Sequence, residues 1–185
     1  SVNEKITNKF DDIINDKDIS VIVEVMGGEE PALTYIRKAL QDGKHVITAN
    51  KEVISKHGKE LLDLAATKDV NLLFEASVGG GIPIIRPMKQ CLSANKIIKI
   101  MGILNGTTNY ILSQMTEKGE SFDKALKQAQ DEGYAESDPT DDIKGFDAAR
   151  KISILSSIAF NTRITSDQVY TEGIDKISHV DIKYA

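Results

Sequence analysis

Tryptophan is absent from this sequence, and aromatic residues make up only 5% of its 185 residues. Stacking platforms for nucleic-acid bases are built from aromatic side chains, so this scarcity argues against such a platform. Basic residues form no stripe, and the formal net charge is -5 at pH 7. Because nucleic-acid binding depends on clustered Lys and Arg facing phosphates, we do not expect nucleic acid as the main partner.

Cysteine and long apolar runs are equally scarce. Cys91 is the one cysteine, so no disulfide can form within the chain, and we expect a reducing, cytoplasmic compartment. We expect Cys91 to be a half-buried helix residue, since "MKQCLSA" offers no histidine to activate the thiol. The apolar runs are too short to cross a bilayer, and the first ten residues hold no apolar signal segment, so we expect no membrane association.

Several catalytic signatures are missing from the sequence. It contains neither the Gly-x-Gly-x-x-Gly dinucleotide loop nor a Walker loop, and no Gly-x-Ser-x-Gly elbow of an α/β-hydrolase. The histidines at positions 45, 57 and 179 lack zinc-type spacing. These absences leave the function to be sought in other patterns.

Alternating strands and helices are indicated by the first part of the chain. Short β-branched or apolar runs predict strands at 21–27, 45–50 and 70–77, the first of them a buried strand. Segments 29–43 and 51–69 between them are typical of helices. This β-α-β-α-β order predicts a parallel sheet, and ligands of such sheets bind beyond the carboxyl ends of the strands.

The pattern changes after Pro83, and we place a domain boundary near Ile82–Pro83. Beyond it the sequence predicts a short helix at 83–95, a strand at "KIIKIMGILNG" and three helices, the last at about 144–160. Ser121 is predicted to cap the middle helix, and Gly133 to end it. The final "HVDIKYA" is predicted to be a strand.

The helix at about 144–160 carries two charged residues on its apolar side. On a helical wheel Asp147 and Lys151 fall within an arc of Ala and Ile residues, while Ser153 falls on the opposite side. Four residues apart, they are predicted to pair. A lysine held by a carboxylate near an apolar wall can donate or accept a proton, whereas the plainer interpretation is a structural salt bridge at the core edge.

The loop "ESDPTDD" (136–142) precedes this helix and is rich in carboxylates. Asp138, Asp141 and Asp142 offer the oxygen ligands that Mg²⁺ prefers, so a magnesium site is one hypothesis. The carboxylates could instead grip a substrate ammonium group. The alternative for Asp138 and Asp141 is a solvated turn shaped by Pro139.

Three further loops are candidates for the site. "EASVGGGIP" places carbonyls of a glycine-rich turn beside Glu75, where a monovalent cation is possible, although a plain loop is the alternative. "TANKE" places Lys51 at the end of a strand, either in a cleft or simply on the surface. "GILNGTTNY" combines the Asn105-Gly106 turn signal with two threonines that can cap a helix or bind a carboxylate.

Four segments, "TANKE", "FEASVGGGIPII", "GILNGTTNYIL" and "GYAESDPTDDIKGFDAARK", occur in an order and at spacings that resemble the homoserine dehydrogenase family, from about Val21 to Ile164. The resemblance implies an α/β fold in which a truncated Rossmann-like parallel sheet is followed by an α+β domain. Residues 1–82 would be the C-terminal part of the NAD(P)-binding domain. Residues 83–185 would be a substrate-binding and catalytic domain that also carries the dimerisation surface, incomplete at its C-terminus.

The resemblance also implies a reaction, the interconversion of L-homoserine and L-aspartate 4-semialdehyde with NADP or NAD as cofactor. This reaction belongs to the biosynthesis of threonine, methionine and isoleucine. A bound sodium ion, a homodimer and a cytoplasmic location are further implications.

Residue roles are carried over by the same resemblance. Lys151 would be the proton donor to the aldehyde oxygen, and Lys51 would assist at that oxygen. The residues implied in substrate binding are Glu136, Asp147, Asp142, Tyr134 and Thr107. Those implied near the cofactor are Gly27, Gly28, Ala49, Asn50, Lys51 and Gly133. Those implied around sodium, largely through backbone carbonyls, are Glu75, Val78, Gly80 and Ile82.

The sequence also departs from the family pattern. No glycine-rich phosphate loop precedes "VIVEVMGG", so we expect a fragment in which exposed sheet edges favour self-association. One alternative function is therefore a non-catalytic homo-oligomeric domain that keeps the family fold. The other is an Mg²⁺-dependent enzyme that uses the acidic loop.

Overall fold

A computed structural model of the chain describes residues 6–185, and in this part three strands form one parallel sheet in the order β1-β2-β3. The strands are β1 (Val21–Glu24), β2 (His45–Thr48) and β3 (Leu72–Leu73). In this sheet Val21 lies opposite His45, and Val46 opposite Leu72. The predicted parallel order is confirmed, although each strand is shorter than the segment that indicated it.

Helices precede, connect and follow the strands. They are α1 (Phe10–Ile14), α2 (Ala32–Gln41), α3 (Lys51–Thr67), α4 (Ala76–Gly79), α5 (Gly106–Lys118), α6 (Phe122–Asp131), α7 (Thr140–Ile143), α8 (Phe146–Ala159) and α9 (His179–Tyr184). A π-helical turn covers Pro87–Cys91, and a 3₁₀ turn covers Ser166–Gln168. Within the described residues, no helix is both long and apolar enough to cross a membrane.

The larger apolar core lies where α2, α3 and α8 meet the sheet. Leu40, Val46 and Leu61 are fully buried there, and Leu155 of α8 packs into the same cluster. A smaller core forms between α5 and α6, around residues such as Ile111. Helix α8 therefore reaches the first core at one end while its first turn faces the start of α5.

Burial of the first strand differs from the prediction. Val21 is 45% exposed, Val23 is 62% exposed and Leu73 of β3 is 54% exposed. The helices of the described residues cover only one face of the sheet, so no second layer covers the outward side chains, which include Ile47 between Val23 and Leu73. The prediction of a strand here is confirmed, but that of a buried strand is wrong for this face.

Two other strand predictions are wrong. Residues 96–105 form neither strand nor helix, and Ile98 and Ile103 project into solvent. A strand needs a hydrogen-bonding neighbour, and the described residues supply none for this segment. The final segment is α9, because Ser178 and Asp181 form a reciprocal capping box that starts a helix.

Cys91 and Ser153 also differ from expectation in their burial. Cys91 ends the π-helical turn and is exposed instead of half-buried. Ser153 was placed opposite the apolar arc of α8 but is fully buried, and its hydroxyl donates to the Arg150 carbonyl. Helix α8 is thus covered on more sides than the wheel indicated.

Candidate active site

Two lysines converge on one buried carboxylate. Asp147 lies in the first turn of α8 and only 2% of its side chain is exposed. Lys151 Nζ lies 2.7 Å from Asp147 Oδ2, and Lys51 Nζ lies 2.5 Å from Oδ1. The predicted pairing of Asp147 with Lys151 is therefore confirmed, and the structure adds Lys51 from a distant part of the chain.

Lys51 reaches this point because β2 ends just before α3 begins. Asn50 caps α3, with its Oδ1 accepting from the Val53 N–H at 3.1 Å. Lys51 is the first residue of that helix, and its side chain remains 40% exposed. The lysine therefore stands at the carboxyl end of the sheet, where parallel sheets bind ligands.

The segment before α5 completes the surroundings of the pair. Lys151 Nζ donates to the Leu104 carbonyl at 2.7 Å. Asn105 Nδ2 donates to Asp142 Oδ1 at 2.6 Å and to Asp147 Oδ2 at 2.9 Å. The result is a compact cluster of two cations and two carboxylates that converges from α3, α7 and α8.

Asp147 remains ionised in this cluster. Burial disfavours its charged form, but hydrogen bonds from Lys151, Lys51 and Asn105 outweigh that effect and hold its pKa below the usual range. Only 15% of the Lys151 side chain is exposed, compared with 40% for Lys51. An ammonium group next to a fixed carboxylate and partly shielded from water is suited to proton transfer.

The other predicted substrate residues lie in and after α5 and α6. Thr107 Oγ1 donates to the Tyr134 carbonyl at 2.7 Å, which joins the two elements. The Tyr134 ring stacks on Tyr110 with 4.7 Å between centroids. Glu136 is exposed, and among the described residues its carboxylate has no hydrogen-bond partner, so the structure does not bring it into contact with Asp147.

The predicted cofactor residues lie mainly at the carboxyl ends of β1 and β2. Asn50 Nδ2 donates to the Gly28 carbonyl at 2.7 Å and to the Met26 carbonyl at 3.3 Å, so the loops after the two strands are tied together. Ala49 lies in the second loop beside Asn50. A side-chain carbon added at Gly27 or Gly28 would meet nothing within 4 Å, which leaves room for a ligand to approach the backbone.

Buried polar groups hold the loops after β1 and β2 in place. Glu24 is 4% exposed and accepts hydrogen bonds from the Met26 N–H at 2.6 Å and the Thr48 hydroxyl at 2.5 Å. Gly133 lies in a separate loop after α6, with a left-handed φ of 78°. The backbone at Gly133 is open, like that at Gly27 and Gly28, although Gly133 belongs to a different loop from the others.

The residues implied around sodium surround the turn that follows β3. Glu75 accepts hydrogen bonds from the N–H groups of Ile84, Ile85 and Arg86. Burial raises the pKa of Glu75, but these three bonds outweigh it, so the pKa is lowered overall. Its carboxylate is thus engaged by the backbone. A cation here would depend on the carbonyls of the predicted set, which includes Val78, Gly80 and Ile82.

Among the described residues, the acidic loop does not form the cluster of carboxylates that the magnesium hypothesis requires. Asp138 accepts from Thr140, Asp141 pairs with Arg150, and Asp142 accepts from Asn105. Within residues 6–185, no group of three or more His, Cys, Asp or Glu is arranged to hold a metal ion. The carboxylates of the acidic loop serve separate partners.

Comparison with known families decides the relationship. The model described as "Homoserine dehydrogenase" matches residues 83–185, and the model "Homoserine dehydrogenase, NAD binding domain" matches residues 1–75. The chain belongs to the homoserine dehydrogenase family. Its fold is accordingly an α/β fold, with a Rossmann-like NAD-binding portion followed by the homoserine dehydrogenase domain.

Similar members of the homoserine dehydrogenase family include the Synechocystis enzyme, 52% identical over 182 residues, and that of Pseudomonas aeruginosa, 48% identical over 180 residues. These alignments cover 98% and 97% of this chain but only 42% of each relative. The chain therefore spans less than half the length of these relatives.

Solved homoserine dehydrogenases share the fold. The crystal structure from Thiobacillus denitrificans matches with a TM-score of 0.93 and 48% identity, covering 96% of this chain and 41% of that one. A hyperthermophilic archaeal homoserine dehydrogenase mutant, solved in complex with NADPH, matches with a TM-score of 0.85 and 28% identity over 96% of this chain and 54% of that one.

Sequence reasoning missed two groups of this cluster. Asn105 was interpreted only as a turn residue, yet it contacts two carboxylates. The Leu104 carbonyl accepts from Lys151, and a backbone acceptor leaves no signal in a sequence. The sequence did hold a signal for Asn105, which directly precedes "GTTNY" and could have been predicted to cap that helix. The amide group of a capping asparagine can also contact the elements that pack against that end of the helix.

Proposed function

We propose that the polypeptide containing this chain interconverts L-homoserine and L-aspartate 4-semialdehyde with NAD or NADP. The observation that carries the proposal is the buried Asp147 carboxylate held between Lys51 and Lys151. This arrangement supplies a positioned acid beside carboxylates able to hold an amino-acid substrate. The threonine, methionine and isoleucine pathways are the metabolic context that such a reaction implies.

Lys151 is the proposed proton donor. Nicotinamide, when bound, would supply the hydride for aldehyde reduction. As the carbon–oxygen π bond opens, the oxygen takes a proton from Lys151 Nζ and becomes a hydroxyl group, leaving the amine neutral. Two N–H donors of the ammonium group face Asp147 and the Leu104 carbonyl. The third remains for the substrate oxygen, since an ammonium group has three donors. Lys51 assists at the same oxygen.

The carboxylates recognise the rest of the substrate. Asp147 and Asp142 are held side by side through Asn105 and offer charge-assisted acceptors for an ammonium group. In this proposal Glu136 is the third acceptor, and it must turn inward from the loop after α6. Thr107 and Tyr134 line the same pocket.

Cofactor and cation contacts are also proposed. The open backbone at Gly27, Gly28 and Gly133 would approach the dinucleotide, together with Ala49 and Asn50. Carbonyls of Glu75, Val78, Gly80 and Ile82 would hold sodium, because backbone oxygens suit a hard cation. The domain boundary near Ile82–Pro83, a homodimer and a cytoplasmic location belong to the same proposal.

The test is L-homoserine-dependent reduction of NAD⁺ and NADP⁺, measured for the full polypeptide in which this sequence occurs and for its Lys151→Ala variant. Because general acid–base groups contribute on the order of 10²–10⁴ in rate, we expect the variant to lose at least about a hundredfold in kcat. Lys127→Ala is the matched control, since Lys127 pairs with Asp131 on the surface of α6. Its turnover should equal that of the wild type.

Either of two results would contradict the proposal. Substantial turnover by a folded Lys151→Ala protein would remove the proton-donor role. Wild-type protein that folds and associates but never reduces either cofactor would favour the non-catalytic homo-oligomeric alternative. The exposed apolar face of the sheet is the observation that keeps this alternative open.

A further inference from the structure

Asn105 uses both ends of its side-chain amide. Its Oδ1 accepts from the N–H and the hydroxyl of Thr108, at 2.8 and 2.9 Å, and so caps α5. Its Nδ2 donates to Asp142 at 2.6 Å and to Asp147 at 2.9 Å. One side chain thus fixes a helix end and two carboxylates from two other helices.

Capping alone does not require asparagine at this position. Ser, Thr or Asp accept the same backbone hydrogen bond at an N-cap. Only an amide adds an NH₂ group with two donors directed at two acceptors. The second function of Asn105 is therefore to bridge carboxylates that would otherwise repel each other at close range.

Leu104, the residue before Asn105, contacts Lys151, which is a cationic partner of Asp147. The Leu104 carbonyl accepts from Lys151 Nζ at 2.7 Å, while Asn105 holds the Asp147 oxygen that faces the same ammonium. Two consecutive residues thus fix both members of the Lys151–Asp147 pair. A shift of this segment would move donor and carboxylate together.

We propose that Asn105 is a positioning residue of the reaction, which aligns Asp142 and Asp147 to receive the substrate ammonium and keeps Asp147 ionised beside Lys151. The inference rests on the proposed function for its catalytic consequence. Its electrostatic consequence can be measured without substrate or cofactor.

Two variants of Asn105 distinguish the capping role of its amide oxygen from the bridging role of its NH₂ group. Asn105→Ser keeps a capping oxygen but removes the bridging NH₂ group. Asn105→Asp keeps the cap and places a third carboxylate in the cluster. Ser121→Ala is the control, because Ser121 caps α6 and has no contact with Asp147, so it removes a cap away from the site.

The first measurement is a carbon-13 NMR titration of the Asp147 carboxyl group in the unliganded protein. We expect its pKa to rise in both Asn105 variants and to stay at the wild-type value in Ser121→Ala. In Asn105→Ser the reason is the lost hydrogen bond to the charged form, and in Asn105→Asp the added negative charge acts in the same direction. An unchanged pKa in folded Asn105→Ser would overturn the proposal, whatever happens to activity.

The second measurement is the kcat and KM for L-homoserine in the full polypeptide. Loss of a buried hydrogen bond to a charged group should lower kcat/KM by about tenfold or more in Asn105→Ser, and further in Asn105→Asp. Ser121→Ala should stay near the wild type. Wild-type protein without turnover would refute the proposed function while the titration still decides on Asn105. Wild-type kinetics in Asn105→Ser would overturn the positioning role alone.

Discussion

At the scale of single residues, the site depends on how one buried charge is compensated. Asp147 is almost fully buried, and removing an ion from water is costly unless partners replace the lost hydration. Lys151 is one helical turn away, Lys51 approaches from another helix, and Asn105 supplies a neutral donor. Such a densely partnered group stays charged at neutral pH and keeps a fixed position.

Asp147→Asn should destabilise the protein in a pH-dependent way. The folded-state pKa of Asp147 lies below its usual value, so the stabilisation is complete above the unfolded pKa of about 3.9 and is lost as the pH falls through the folded value. We expect the variant to lose about 3 kcal/mol of unfolding free energy at pH 7, because two lysines then face an amide.

Urea unfolding of both proteins between pH 7 and pH 3 measures this difference. The difference in unfolding free energy between the wild type and Asp147→Asn should narrow below a pH of about 4. Asp138→Asn is the control, since exposed Asp138 is hydrogen-bonded by Thr140 alone among residues 6–185, and its effect should be much smaller. A gap that stays constant with pH would show that the ionised form of Asp147 is not the stabilising species.

At the scale of elements, the site is positioned by the capped N-termini of two helices and by one segment, residues 171–177, which we call the strap. Asn50 caps α3 and Asn105 caps α5, and each cap adjoins a group of the cluster. The strap crosses the turn between α7 and α8. There Ile174 N–H donates to the Ile143 carbonyl at 2.9 Å, and Lys144 pairs with Asp175 at 2.8 Å. The strap thereby holds the turn that separates Asp142 from Asp147.

Gly173→Ala should weaken this contact. An added side-chain carbon would lie 2.6 Å from the Ile143 carbonyl oxygen and 3.0 Å from Lys144 Cα, so the backbone must shift. Overpacking of this kind costs about 1–3 kcal/mol of unfolding free energy. Gly58→Ala within α3 is the matched control, because its added carbon meets only Ile54 at 3.5 Å.

Denaturant unfolding of the two variants tests the prediction. Gly58→Ala should be more stable than the wild type by about 0.5–1 kcal/mol, since alanine favours a helix interior. If Gly173→Ala and the wild type are equally stable, the strap can shift with no loss of unfolding free energy. It then does not hold the turn between α7 and α8.

At the scale of the whole molecule, residues 6–185 cover the sheet on one side only. Val23 is 62% exposed and Val25 is 75% exposed, and β1 forms one edge of the sheet. Ile98 and Ile103 add a second exposed apolar stretch. Unpaired strand edges with outward apolar side chains are surfaces through which polypeptides associate.

We predict that this chain, prepared by itself, self-associates through the outer face of β1. Val23→Lys should shift the population toward the monomer in sedimentation velocity, because a lysine on an edge strand opposes further pairing. Tyr170→Lys is the control, since Tyr170 is 86% exposed but far from the strand in sequence and outside the sheet. An equal shift in both variants would point to net charge instead of this face.

Local patterns determined much of what the sequence predicted about this protein. The parallel sheet, α2, α3, α6 and α8 follow from periodicity and caps, and the Asp147–Lys151 pair follows from spacing on one helix. The capping box of α9 was also local but was overlooked, because "HVDIKYA" alternates like a strand.

Only the tertiary structure decided which distant groups meet. Lys51 reaches Asp147 because α3 packs beside α8, and Asn105 bridges two carboxylates because α5 starts next to α7. Residues 96–105 have the composition of a strand but form none among the described residues, since a strand is completed by hydrogen bonds to a neighbour. Local spacing fixes contacts within an element, whereas contacts between elements depend on how their surfaces pack.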